Sequence, residues 1–374
     1  MNFKDKQLIP LAIPDLRGNP SSNLRKAIKS NWISSAGPAV NEFESLICKE
    51  VRGKYVLATI TGSAALHLAL KIFGIGKGHR VLVPDLTFAA TINSIIISGA
   101  EPILVDVDKE TWTLDIQLTK KAILKYKPQA IIVVHTLGHP AKMDELKEIS
   151  SENKIVLIED AAGALGAKYK NNKVGALSDA GIFSFNGNKV LSTGSGGALI
   201  LNKKSLFEKG KILYNQGRIK KLYNYSDVGY NYRMSNINAS LGVSQIPYLN
   251  SFVKKKINIA KKYDKNFINI ESFKLMPRKE WATSSCWLYS LLFKSRKSAL
   301  SFNKYLSKKM ISSRFFWNAL SLQKPYKNYK SILNGTAFGL SNKIISIPCS
   351  TSLTKYQQDR VIVSIKKWSK IEQN

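Results

Sequence analysis

Four short segments hold the side chains best suited to chemistry. The first is Thr61-Gly62-Ser63-Ala64-Ala65-Leu66, directly after a β-rich run and opening a helical pattern. Small residues and hydroxyls at such a point leave backbone N–H groups exposed at a helix N-terminus. That suits a phosphate, although many strand-to-helix turns look alike. The second is Ile158-Glu159-Asp160-Ala161-Ala162. A carboxylate at the end of a buried apolar strand needs a partner. Asp160 either caps the following helix or pairs with a protonated ring nitrogen of a cofactor. The third is Phe183-Ser184-Phe185-Asn186-Gly187-Asn188-Lys189, followed by a Gly- and Ser-rich run to Gly197. Lys189 is either an ordinary lysine on an exposed loop or, if desolvated, a nucleophile or base with a lowered pKa. The fourth runs from Val228 to Asn236 and places Tyr230, Asn231, Tyr232 and Arg233 ahead of a helix that Ser235 can cap.

Together these segments specify more than any one does. A phosphate-binding turn, a strand-end Asp and a strand-end Lys, in that order, are what pyridoxal phosphate requires. The phosphate anchors the ring, and the acid keeps the pyridine nitrogen protonated so that the ring is an electron sink. The lysine holds the aldehyde as an imine and then moves protons.

The elements that must position these groups read as an α/β sheet. Short apolar runs (Tyr55–Ile60, Arg80–Val83, Pro102–Val105, Ala130–Val134, Ile155–Glu159) alternate with helical patterns (Ser63–Phe73, Phe88–Ser98, Ile116–Tyr126, Met143–Ser150). Gly181–Phe185 and Gly197–Leu201 read as two further strands. Continuous apolar runs are expected of strands buried on both faces, and sites gather at the strands' C-terminal ends. Pro38–Val51 reads as an amphipathic helix, and Asn236–Tyr248 and Phe252–Phe267 read as helices. From about Ser251 glycines thin out and lysines increase. A strand at Cys286–Phe293 and a helix at Leu300–Met310 follow. We expect two units: 1–250, an N-terminal segment and large cofactor-binding domain, and 251–374, a small C-terminal domain.

Composition bounds the function classes. The 374 residues are 44% hydrophobic and 22% charged, as in soluble globular chains. Cys48, Cys286 and Cys349 are scattered and odd in number, which fits a reducing compartment and neither a disulfide framework nor a zinc module. No apolar stretch is long enough to span a membrane, and the N-terminus lacks an apolar leader core. A cytoplasmic protein is the expectation, with no metal site. The net charge of +32 raises the alternative of a nucleic-acid-binding regulator, yet only 10 of the 57 basic residues are Arg, the residue favoured for phosphate and base readout. A lysine-rich solvated surface, or a field that attracts an anionic substrate, accounts for the charge without nucleic acid.

With these residues in view, the chain resembles the DegT/DnrJ/EryC1/StrS sugar aminotransferases, fold-type I pyridoxal-phosphate enzymes. The resemblance begins near Trp32-Ile33-Ser34-Ser35-Ala36-Gly37-Pro38 and passes through Gly62–Leu70, Val83-Pro84-Asp85-Leu86-Thr87-Phe88, His135–Pro140 and Glu159–Ala162. It continues through Phe183–Lys189 and Gly229–Asn236. The Asn-Gly-Asn-Lys and Gly-Tyr-Asn-Tyr-Arg-Met forms resemble the branch that aminates C4 of nucleotide-linked 4-keto sugars, with amination at C3 as the alternative within the family. The resemblance implies a large domain with a mixed, mostly parallel sheet and a smaller α+β domain. It implies pyridoxal phosphate bonded to Lys189, Asp160 on the pyridine nitrogen, and phosphate contacts from Gly62, Ser63 and Ser184. Phe88 would stack on the ring. It also implies a homodimer with shared active sites, Asn231 reaching the partner's phosphate, and glutamate as amino donor. Ser34, Ser35, Arg233, Arg314 and Trp317 would contact the nucleotide sugar. The chain departs from the family at Gly163, where many relatives carry Gln, His or Glu, and in the run Asn318-Ala319-Leu320-Ser321-Leu322-Gln323 after Trp317, where relatives often have a His. Family members acting as sugar dehydratases replace the lysine by histidine; the retained Lys189 points to transamination.

Overall fold

The computed structural model describes residues 7–219 and 223–373. Residues 1–6, part of the stretch read above for a leader, lie outside them. Eight strands form the central sheet in the order β1 (Tyr55–Thr59), β9 (Gly197–Leu201), β8 (Ala180–Ser184), β5 (Val156–Asp160), β4 (Ala130–Val134), β2 (Arg80–Pro84), β3 (Glu101–Val105) and β16 (Ser331–Ile332). β9 runs against both of its neighbours, and all other pairings are parallel. Successive residues of a strand face opposite sides. Leu82, Ile103, Ile131 and Leu157 therefore enter one core, and Val81, Val83, Ile132 and Ile158 enter the other. Burial on both faces is why these strands are apolar throughout rather than alternating.

Helices α2 (Pro38–Val51), α5 (Ile116–Tyr126) and α6 (Met143–Glu152) bury their apolar stripes in the first core. Helices α3 (Gly62–Ile72), α4 (Ala89–Ser98) and α7 (Lys204–Leu213) cover the other. The limits of α2, α5, β4 and β9 are those read from the sequence. Local capping explains α5: the Asp115 side chain accepts from the Leu118 N–H at 2.9 Å. Helices α8 (Asn236–Gln245) and α9 (Leu249–Phe267) join the first core, and α1 (Pro20–Lys29) lies against α8.

The C-terminal third builds a second, antiparallel sheet in the order β12 (Phe273–Leu275), β14 (Tyr289–Phe293), β17 (Ile344–Ile347), β15 (Arg314–Phe315). Helix α10 (Arg296–Lys308) and helix α12 (Lys355–Gln373) pack on it, with the Trp368 ring 5.0 Å from Phe302 and 5.6 Å from Phe293. The strand expected at Cys286–Phe293 begins only at Tyr289, because Cys286 turns the chain with φ 51°. The expected Leu300–Met310 helix starts at Arg296, where Ser295 caps it. Short strands β6 (Lys168–Tyr169), β7 (Asn172–Lys173) and β13 (Ala282–Thr283) form a small sheet, and β10 (Arg218–Ile219) pairs with β11 (Asn224–Tyr225).

Backbone bonds tie the start of the chain to its C-terminal third. The Ile9 N–H donates to the Met310 carbonyl at 2.9 Å, and the Cys349 N–H donates to the Leu11 carbonyl at 3.0 Å. Asp106, just past β3, accepts five backbone N–H groups, from Val107, Asn334, Gly335, Thr336 and Ala337. Those bonds fix α11 (Thr336–Leu340) at the end of β16. Among the described residues no helix is long and apolar enough to cross a membrane.

Candidate active site

Parallel pairing brings the C-terminal ends of β2, β4, β5 and β8 to one edge of the sheet, and β1, related to β8 through the antiparallel β9, ends at the same edge. A cavity of about 520 Å³ opens there, where open α/β sheets place their ligands. Gly62, Ser63, Phe88, Asp160, Ser184 and Lys189 line it, joined by Arg314 and Trp317 from the C-terminal third.

The turn after β1 makes an anion cradle. Thr61 caps α3, its hydroxyl accepting from the Ala64 N–H at 3.0 Å. The first amides of a helix have no partner within it and sit at the positive end of its dipole. A Cβ at Gly62 would lie 3.0 Å from Ser184 Cβ. Glycine therefore lets the end of β8 close on the helix start and sets the Ser184 hydroxyl beside those amides.

Asp160 ends β5 on the cavity side. One carboxylate oxygen accepts from the Thr91 hydroxyl at 2.9 Å and the other from the Ala162 N–H at 3.1 Å. Burial pushes its pKa up despite both bonds and the nearby Lys189 charge. Such a carboxylate gains from a cation placed against it. Glu159, one residue earlier, faces the other way. It accepts from the Gly175 and Leu177 amides, the Ser178 hydroxyl and His135 Nε2. His135 Nδ1 accepts from the Ala141 N–H, which assigns the ring proton to Nε2. His135 is thus fixed by its neighbours, although its ring forms part of the wall.

Lys189 reaches the cavity from the loop after β8. Its pKa is pulled down to about 7, chiefly by burial, with Asp160 opposing and Arg314 assisting. Its amine lies 3.5 Å from the centroid of the Trp287 ring. The ring of Phe88, 57% exposed, stands 5.8 Å from that of Trp317. The set fits pyridoxal phosphate: an anion cradle, a buried carboxylate in want of a cation, and a lysine amine near neutrality.

Four of the expected residues lie outside this chain's cavity. Ser34 and Asn231 are exposed and Ser35 is half-buried. The Arg233 guanidinium packs 5.8 Å from the Tyr214 ring, within reach of the Glu44 charge. Asn236 holds the Ser34 loop in place: its N–H donates to the Ser34 carbonyl at 2.7 Å and its side-chain amide donates to the Trp32 carbonyl at 2.7 Å. Sequence reading missed Thr91, Asn236, Trp287 and the clasp between Asp85 and Ser321. Thr91 had a usable signal, since it lies one helical turn past Phe88 and so shares its face. Trp287 had none, because a strand-edge tryptophan reads as core. Among the described residues no cluster of His, Cys, Asp and Glu could hold a metal ion.

The DegT/DnrJ/EryC1/StrS aminotransferase family matches residues 14–366. The GDP-perosamine synthase of Escherichia coli O157:H7 is 33% identical over 362 residues, covering 96% of this chain and 98% of that protein. The UDP-4-amino-4,6-dideoxy-N-acetyl-beta-L-altrosamine transaminase of Campylobacter jejuni is 37% identical over 274 residues, covering 72% of each. Spr1654 of Streptococcus pneumoniae, solved in its PLP-form, superimposes with a TM-score of 0.91 at 26% identity, over 97% of this chain and 99% of that one. The chain belongs to the DegT/DnrJ/EryC1/StrS aminotransferase family and is a transferase that uses pyridoxal phosphate.

Proposed function

We propose that this enzyme aminates C4 of a nucleotide-linked 4-keto sugar, with glutamate as amino donor, in the synthesis of a surface polysaccharide or glycan. The amino group passes from the donor to the keto carbon of the sugar, and the donor leaves as its 2-oxo acid. The observation that carries the reading is the convergence of Lys189, Asp160 and the α3 cradle on one cavity. Resemblance to enzymes named for nucleotide-linked amino sugars, over 96% of the chain for one and 72% for the other, supports it.

Pyridoxal phosphate, when bound, supplies the electron sink that lets a proton leave the donor carbon. The chain's own residues do the rest. The amides at Gly62 and Ser63 and the Ser184 hydroxyl hold the phosphate, and Phe88 stacks on the ring. Asp160 keeps the ring nitrogen protonated. Lys189 would anchor the cofactor, and its amine would take up the proton that leaves the donor carbon. Arg314 and Trp317 cover the substrate from the small domain, 251–374. Ser34, Ser35 and Asn231 serve the site of the second subunit of a homodimer, with Arg233 bracing their segment. The setting is the cytoplasm.

The deciding experiment offers the purified, cofactor-loaded chain a panel of nucleotide-linked 4-keto and 3-keto sugars with glutamate, and follows 2-oxoglutarate and the amino sugar by mass spectrometry. Amination of a 4-keto sugar is expected. Amination confined to free 2-oxo acids, with none of the nucleotide sugars consumed, would sink the proposal.

A further inference from the structure

Lys189 must leave the cofactor, wait as a free amine and then act as a base, so something has to hold it meanwhile. The structure points to one side chain. Trp287, 5% exposed, presents its ring face to the Lys189 amine at 3.5 Å. Its indole N–H donates to the Asn188 carbonyl at 2.9 Å, so one ring touches both the lysine head and the backbone before it. Trp287 is itself fixed from behind. The buried Lys256 amine donates to the Trp287 carbonyl at 3.0 Å and to the Cys349 carbonyl at 2.9 Å. The indole also fills the space beside Gly163, another residue of the cavity wall. A Cβ there would lie 2.5 Å from Trp287 Cε3 and 3.1 Å from Cδ2. The two cannot share that space, so a side chain at 163 must displace the indole from this position.

We propose that Trp287 is a positioning residue for Lys189: its ring is the resting place of the amine whenever the lysine is not bonded to cofactor, and Gly163 is small to admit it. The proposal rests on Lys189 being the cofactor-bonding lysine. A cation over an aromatic face is stabilised most strongly where water is excluded, and tryptophan is the best such face. The ring therefore fixes both where the amine waits and at what pH it becomes a base.

The test reads the lysine without turnover. The cofactor-free full-length chain is trace-labelled with acetic anhydride across a pH series, and acetylation at Lys189 is read by mass spectrometry. Trp287→Leu keeps the site apolar but removes the ring face, and the labelling midpoint should fall by about one pH unit. Trp287→Phe keeps a face and should restore most of that shift. Gly163→Gln, with Trp287 retained, should displace the ring and lower the midpoint likewise. Adding Trp287→Leu to it should lower the midpoint no further, as for two changes to one contact. An unchanged midpoint in a folded Trp287→Leu chain, or additive shifts in the double variant, overturns the proposal. If Trp287→Leu does not fold, the Gly163→Gln midpoint decides alone. A borohydride-fixed cofactor adduct at Lys189 of the unaltered chain is measured in parallel. Its absence overturns the cofactor assignment and the proposal with it, whereas its presence beside an unchanged midpoint overturns the proposal only.

Discussion

A lysine amine in water is protonated at neutral pH and can neither attack an aldehyde nor accept a proton. Inside the cavity the Lys189 amine titrates at about 7, so below that pH it is mostly ammonium and above it mostly free amine. Capture of pyridoxal phosphate by the cofactor-free chain should therefore speed up as pH rises through 7 and level off above it. Stopped-flow absorbance would show this, and a flat rate across that range would contradict the assignment. Asp160 works in the opposite sense: burial raises its pKa, and a cationic ring nitrogen would restore its charge. Asp160→Asn keeps the shape and removes the charge. A charge-assisted hydrogen bond is worth ~1.5–3 kcal/mol, so the cofactor Kd should rise about 10- to 100-fold. Equilibrium binding with an unaltered Kd would remove Asp160 from that role.

At the scale of elements, the site is a set of strand ends held by carboxylates. Asp85, directly after β2, is buried, and burial raises its pKa. It accepts from the Ser321 N–H and from the Ser321 hydroxyl, each at 2.7 Å, and its carbonyl accepts from the Leu320 N–H at 2.7 Å. The clasp fixes the segment that carries Trp317 to the loop that carries Phe88. The short Ser321 hydroxyl suits a carboxylate partner. Ser321→Ala would leave a buried carboxylate one donor short, costing about 1.5–3 kcal/mol. Urea unfolding should register that loss, and KM for the sugar should rise while cofactor affinity holds. Unchanged stability would show that the clasp contributes nothing.

At the scale of the molecule, the cavity is lined from the central sheet and from the C-terminal third of the chain. Of the four expected residues it does not use, Ser34 and Asn231 are exposed. If Asn231 of one subunit serves the site of the other, then Lys189→Ala and Asn231→Ala chains, each inactive alone, should complement when mixed. Half of the randomly paired dimers would be hybrids with one intact site, giving about a quarter of full activity. No recovery after verified subunit exchange would place Asn231 elsewhere.

The order of small turn, strand-end Asp and strand-end Lys, and the strands and helices that carry them, were legible in the chain. Each depends on neighbours a few residues away: apolar runs that need burial on both faces, caps such as Asp115, and glycine where backbones close. Which side chains meet at the site was decided by packing. Trp287 lies 99 residues from Asn188, to which it donates. Thr91 lies 69 residues from Asp160, and Ser321 lies 236 residues from Asp85. Such pairs leave no periodic trace, because a tryptophan against an amine and one in a core obey the same local rules. Only parallel strand pairing, which gathers strand ends at one edge and folds the C-terminal third over it, tells them apart.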